Sequence, residues 1–178
     1  MKKNRKQVQE SKQWIVDSLL ALMAEQNIQT ITVQQIAEKS DLHRRTFYRH
    51  FTSKEDVLDY KIQQMMDNYI PLILTTPDLT ESKIVQLHFN FLEEHIDFLK
   101  ILKRNNLFSY LLEKYNYYAP ILYDRLSIQT TNPVELTFVS AFKAGGFWNV
   151  VSHWIDQENR LKPEEIAKLM EKFFSDNN

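Results

Sequence analysis

The chain has 178 residues, 43% of them apolar and 25% charged, and a formal net charge of −1, the proportions of an ordinary soluble globular protein. It has no cysteine, which excludes disulfides and cysteine-ligated zinc or iron–sulfur centres and is consistent with a reducing compartment. Only two glycines disfavour turn-rich β architecture, no apolar run is long enough to span a bilayer, and none follows the basic first residues as a secretory leader requires, so a cytoplasmic protein is expected.

The periodicity is helical almost throughout. In the first segment Ile15, Leu19, Leu22 and Met23 recur on one helix face. Asn27 before Ile28 reads as a helix stop, because Asn tolerates the left-handed conformation. Thr32 then starts a second helix as its cap, with Gln35 as capping-box partner and Ile31 stapled to Ile36. That helix ends near Lys39, and Ser40-Asp41-Leu42 makes a tight turn into a third, from about His43 to Arg49. Ser53 with Asp56 starts a fourth, whose core face is Leu58, Ile62, Met65, Met66 and Tyr69. Pro71 and Thr75-Thr76-Pro77-Asp78 are expected to break the chain.

Beyond the break, a helix carries Ile84, Leu87, Phe91 and Leu92, and a short one follows around Phe98 to Leu102. After an Asn105-Asn106 turn another helix runs to about Tyr118, with Pro120 as punctuation and a loop at 127–132. Asn132-Pro133-Val134-Glu135 combines a cap, a first-position proline and a first-turn acid, the start of a helix reaching about Asp156. The last helix begins at Pro163-Glu164-Glu165, with Leu161 able to staple to Ile166. The expected fold is all-α, with about nine helices.

Charge is uneven along the chain. Residues 1–58 carry ten Lys/Arg against seven Asp/Glu, and residues 39–54 carry five bases (Lys39, Arg44, Arg45, Arg49 and Lys54) against Asp41 alone. Such a patch suits either a polyanion confined to one end or simple solvation. Two short helices joined by a tight turn, the second basic, describe a helix-turn-helix. The second helix must enter a major groove with donors outward and anchors inward. Phe47 and Phe51 are spaced to face inward with Ile36, Ala37 and Leu42, leaving His43, Arg44, Arg45, Thr46 and Tyr48 outward.

The run TFYRHFTSKEDVL at residues 46–58, after a short capped helix, resembles the DNA-binding domain of TetR-type regulators, a likeness covering roughly residues 10–60. The segment Phe142-Lys143-Ala144-Gly145-Gly146-Phe147-Trp148, with Trp154 following, is similar to the C-terminal domain of one TetR subgroup. The resemblance implies a DNA-binding domain over 1–58 and a helical effector-binding and dimerisation domain over 59–178. It implies that Gln34 approaches the DNA backbone or a base edge, that His43, Arg44 and Arg45 contact bases, and that Thr46, Tyr48, His50 and Lys54 bind phosphates. The same resemblance implies that Arg49 faces the backbone or solvent, while Lys2, Lys3, Arg5 and Lys6 either form a mobile arm that adds charge or are simply disordered, with disorder expected in the free protein. The family usually has Gly where Asp41 stands and Ser or Thr where His43 stands. Asp accepts a left-handed backbone better than most residues, whereas His is a poorer cap.

The implied function is a sequence-specific transcriptional regulator, a homodimeric ligand-responsive repressor on double-stranded pseudo-palindromic DNA. The alternatives are an activator, or an interaction module whose helix-turn-helix does not read DNA. The dimer surface is expected at Ala141, Ala144, Gly145, Leu169 and Phe173. Two adjacent helical glycines, each costing about 1 kcal/mol against Ala, want a packing reason, which is either a partner helix or close packing within the chain under Trp148. Eighteen of 22 aromatics follow residue 59; Phe91, Phe108, Tyr110, Phe138 and Phe142 are the candidate lining of a pocket for a small hydrophobic or aromatic effector, the alternative being plain core. His88 and His95 lie seven apart on one helix face, but a metal needs further ligands; no metal or cofactor is expected. Adjacent acids such as Glu93-Glu94 diverge on a helix, and no nucleophile motif or phosphate loop is present, so no enzyme activity is expected.

Overall fold

A computed structural model describes residues 2–125 and 132–175 and is helical, with no strand among the described residues. The helices are α1 (Lys2–Met23), α2 (Val33–Lys39), α3 (Arg44–His50), α4 (Lys54–Thr75), α5 (Glu81–Glu94), α6 (Ile96–Arg104), α7 (Phe108–Arg125), α8 (Pro133–Asp156) and α9 (Pro163–Ser175), with a 3₁₀ turn at Ile28–Thr30. None of these helices is long and apolar enough to cross a membrane. The chain divides into two compact units, residues 1–68 and 69–178, and α4 runs through the division.

In the first unit Ile15, Val16, Leu19 and Met23 of α1 are buried with Ile36 and Ala37 of α2, Phe47 of α3, and Val57, Leu58 and Ile62 of α4. The local signals for α2 are realised in full. Thr32 accepts from the Gln35 amide, and the Gln35 side chain accepts from the Thr32 amide at 2.8 Å. Two expectations about α1 need correction. It begins at Lys2, so the basic first residues belong to a helix and not to a disordered arm. Asn27 is extended (φ −69°) and caps the 3₁₀ turn through the Gln29 amide, instead of ending α1 in a left-handed state.

In the second unit α8 buries Ala144, Trp148, Val151, Trp154 and Ile155, at spacings of three or four that define one helix face. α5 packs on α9, burying Val85, Phe89 and Leu92 together with Ile166, Ala167 and Met170. The Trp154 indole donates to the Leu161 carbonyl at 2.8 Å, closing the α8–α9 connection. Lys103 of α6 reaches Ser152 O and Asp156 Oδ2 of α8 at 2.7 and 2.6 Å.

Two prolines expected to interrupt helices do not. α4 continues through Pro71 to Thr75, and α7 continues through Pro120 to Arg125. At Pro71 the reason is visible. The ring and Asp67, whose carbonyl loses its donor, are both exposed, so water can satisfy the carbonyl, while buried Tyr69 and Ile73 hold the helix on either side. The start of α8 is as expected, with Asn132 capping the Val134 amide at 3.0 Å. The loop anticipated at 127–132 lies, up to residue 131, outside the described residues.

Candidate nucleic-acid interface

The turn between α2 and α3 sets the pose of the basic helix. The Leu42 amide donates to Ala37 O at 2.9 Å and the Asp41 amide to Glu38 O at 3.2 Å, the paired bonds of a Schellman ending. That ending needs a left-handed residue, and Asp41 supplies it at φ 53° without being glycine. Ser40 Oγ donates back to Ile36 O and Ala37 O, tightening the last turn of α2.

Below α3 the anchors are complete. Phe47 is fully buried and Phe51 nearly so, their ring centroids 6.1 Å apart, and Phe51 meets Tyr60 of α4 edge-on at 5.5 Å. Lys12 of α1 lies 4.6 Å over the Tyr60 ring, closing the hydrophobic floor with a cation–π contact. With one face locked, the opposite face of α3 is held outward. His43, Arg44, Arg45, Tyr48 and Arg49 are exposed, Tyr48 by 53%.

Gln34, His43, Arg44, Arg45, Thr46, Tyr48 and Arg49 line one open hollow of about 820 Å³, so six of the eight residues expected to touch DNA come together. His43 caps α3 through its backbone only, which leaves its imidazole outward. Arg44 lies 5.9 Å over the Tyr48 ring. Among the described residues, Arg44, Arg45 and Arg49 form no salt bridge. Gln34 donates to Glu38 one turn along α2 at 2.5 Å.

His50 and Lys54 are not brought into that hollow. His50 Nε2 lies 3.0 Å from Ser11 Oγ of α1, and burial, then Arg49 and Lys12, push its pKa below the usual histidine value. Lys54 turns its ammonium to the loop before α2, donating to Ile28 O at 2.6 Å and Ile31 O at 2.7 Å. A lysine held by two carbonyls ties the start of α4 to the entrance of α2.

Sequence reasoning missed the flank formed by α1. A second hollow, of about 950 Å³, is lined by Lys6, Gln7, Val8, Glu10, Ser11 and Trp14 together with Leu42, Thr46 and Arg49 of the helix-turn-helix. Trp14 is 49% exposed there. The available signal was its phase, since Trp14 stands off the Ile15/Leu19/Met23 face.

In the second unit the expected pocket residues separate. Phe91 packs on Tyr69 and His95, and Phe108 meets Trp148 edge-on at 5.4 Å. Tyr110 is half-buried beneath Lys114. Phe138 and Phe142 point to solvent, 72% and 83% exposed. Of the expected dimer residues, Ala141 and Leu169 are exposed, Gly145 is half-buried and Ala144 is buried within the chain; the Phe173 side chain lies outside the described ones. Among the described residues, a Cβ added at Gly145 or Gly146 would meet nothing within 4 Å, so no close packing against those residues requires glycine there.

Comparison with known proteins agrees with this layout. The family described as bacterial regulatory proteins, tetR family, matches residues 15–60, and a transcriptional regulator C-terminal region matches residues 80–176. The chain is 21% identical over 161 residues to the uncharacterized HTH-type transcriptional regulator YxbF of Bacillus subtilis, covering 86% of this chain and 42% of that protein. It is 30% identical over 73 residues to the HTH-type transcriptional regulator TcmR of Streptomyces glaucescens, covering 41% of this chain and 32% of that one. The chain thus spans well under half the length of these relatives. A TetR transcriptional regulator from Streptococcus agalactiae superposes with a TM-score of 0.67 at 21% identity, covering 96% of both chains. The dihydroxyacetone kinase operon activator DhaS superposes at 0.58 with 17% identity, covering 93% of this chain and 94% of that one.

Proposed function

Since the chain belongs to the TetR family and is a helix-turn-helix transcriptional regulator, we propose that it acts in the cytoplasm as a homodimeric, ligand-responsive repressor that reads a pseudo-palindromic operator through α3. The carrying observation is the hollow in which Gln34, His43, Arg44, Arg45, Thr46 and Tyr48 converge, with arginines that have no acidic partner among the described residues. Guanidinium groups held outward in this way suit bidentate contacts to guanine edges and to phosphates. Lys54 and His50 act from below as positioning residues, through the Ile28–Ile31 loop and Ser11.

A single recognition helix binds weakly, and two related by a two-fold axis read two half-sites. The surface proposed for pairing is the outer side of α8, where Val134, Phe138, Ala141 and Phe142 are exposed next to open space at Gly145 and Gly146. Contiguous exposed rings on a helix are what a partner surface requires. An effector in the second unit would act by favouring one spacing of the two recognition helices over the other.

The test is the double substitution Arg44→Ala and Arg45→Ala. Losing two base or phosphate contacts, each worth about 1–3 kcal/mol, should weaken operator binding by roughly two to four orders of magnitude while the oligomeric state by light scattering is unchanged. Unchanged operator affinity would remove α3 as the reading head.

A further inference from the structure

The groove between α1 and α3 shares a wall with the reading head. Leu42, Thr46 and Arg49 line both hollows of the first unit. Their spacing of four and three puts them on one stripe, so they form a ridge with an opening on each side. Gln34 of α2 stands across one opening, and Lys6, Glu10 and Trp14 of α1 stand across the other. These three α1 residues recur every fourth position, on one helix face.

The floor of the α1 groove is fixed. Ser11 is buried, and its Oγ lies 3.0 Å from Nε2 of His50 at the end of α3, 39 positions along the chain. That contact holds the two walls at one separation. Trp14 behaves differently from its buried neighbours Ile15 and Val16, with its ring 49% exposed beside half-buried Val8 and Leu42. It offers apolar area that only an incoming partner can cover.

Charge selects that partner. Lys6 and Arg49 are exposed cations, and Glu10 is the one acid among the lining residues. Lys6 and Glu10 are 3.8 Å apart and both reach solvent, so their pairing is weak and readily exchanged for a phosphate. Cations, a hydroxyl and a flat apolar ring match a sugar–phosphate strand, whose phosphates are anionic and whose deoxyribose faces are apolar. Position agrees with charge. A helix in a major groove about 12 Å wide lies between two such strands, and the ridge can face both, with Gln34 towards one and α1 towards the other.

We propose that the α1–α3 groove receives the second sugar–phosphate strand of the duplex, with Lys6 and Arg49 on its phosphates and the Trp14 ring against a deoxyribose. This rests on the reading above in which α3 enters DNA. It adds a contact that carries no sequence information.

The test uses the full-length chain and two duplexes of equal length, one selected from a random library by the wild-type protein and one unselected. Trp14→Ala should weaken binding to both by the same factor, about tenfold, leaving their ratio unchanged. Lys6→Gln should lower the slope of log affinity against log salt by about 0.9 on both. Glu10→Gln should tighten both, which a loss of structure cannot do. Single methylphosphonates walked along each strand of the selected duplex locate the contact: at one phosphate per half-site the substitution should weaken wild type and leave Lys6→Gln unaffected. Lys6 and Glu10 are surface residues, so their variants decide the matter even where Trp14→Ala unfolds. An unchanged salt slope in Lys6→Gln, no tightening in Glu10→Gln, or full affinity in folded Trp14→Ala would each overturn the assignment. So would a change of oligomeric state in Lys6→Gln or folded Trp14→Ala, which would give the groove to a second copy of the chain. The two readings separate through Arg44 and Arg45. If their removal abolishes binding while the α1 variants change nothing, α3 reads DNA and the groove falls. If their removal changes nothing while the α1 variants weaken binding, the groove stands as a DNA site and α3 falls as the reading head.

Discussion

Replacing Lys54 with Met keeps the aliphatic stem and removes the ammonium that donates to Ile28 O and Ile31 O at 2.6 and 2.7 Å. A hydrogen bond from a charged donor contributes about 1.5–3 kcal/mol net. Ile28 O keeps a second partner in the Ile31 amide at 3.2 Å, and Lys54 is only half-buried, so the two bonds do not add at full value. The expected loss is about 2 kcal/mol for the first unit. Denaturant unfolding followed by far-UV circular dichroism, at fixed protein concentration, reads that loss. Amide hydrogen exchange should place it around residues 28–33. Operator affinity should fall modestly, because the α2 entrance loosens, but the slope of log affinity against log salt should not change. A phosphate-bound lysine behaves oppositely, leaving stability alone and lowering the slope by about 0.9. Wild-type stability together with a reduced salt slope would refute the clamp and return Lys54 to the DNA surface.

Phe47→Ala should cost about 3–5 kcal/mol, since the ring is fully buried in the first unit's core; calorimetry should show the first unit melting early and operator binding lost with it. Phe142→Glu combined with Phe138→Glu places two charges on the exposed side of α8; analytical ultracentrifugation should then show a monomer with unchanged helicity, and a persisting dimer would move the pairing surface elsewhere. His88 predicts a signed pH dependence. Its folded pKa is lowered to about 4 from 6.5, so below pH 6.5 the unfolded chain gains a proton that the native chain refuses. Its contribution is complete above pH 6.5 and declines as pH falls towards 4, by up to about 3 kcal/mol. His50, also lowered, acts in the same direction, so the difference between wild type and His88→Phe across that window isolates His88. Parallel stability curves would refute the assignment.

Features decided within a few residues were legible in the chain. The Thr32–Gln35 box, the Asn132–Pro133 start and the left-handed Asp41 all appear as expected, because each depends on backbone groups at most four positions away. The inward phase of Phe47 and Phe51 was equally readable, since helical spacing alone puts them on one side.

Side chains whose environment comes from distant segments were not legible. Lys54 looked like another cation of the basic patch until a loop 23 to 26 residues earlier proved to take its charge. Trp14 joined the flank of the reading head because α1 and α3 meet there, and His88 became a buried neutral ring because Tyr69, Tyr115 and Phe147 close around it.

What the amino-acid order determined alone is therefore the all-helical pattern, its caps and the face on which the basic helix presents arginine, since all of these follow from periodicity and short-range hydrogen bonding. Tertiary structure alone decided which polar groups remain available. It carried α4 through Pro71, turned Ala144 inward and left Phe138 and Phe142 outside. Burial and long-range pairing depend on which surfaces meet, and local sequence does not encode that.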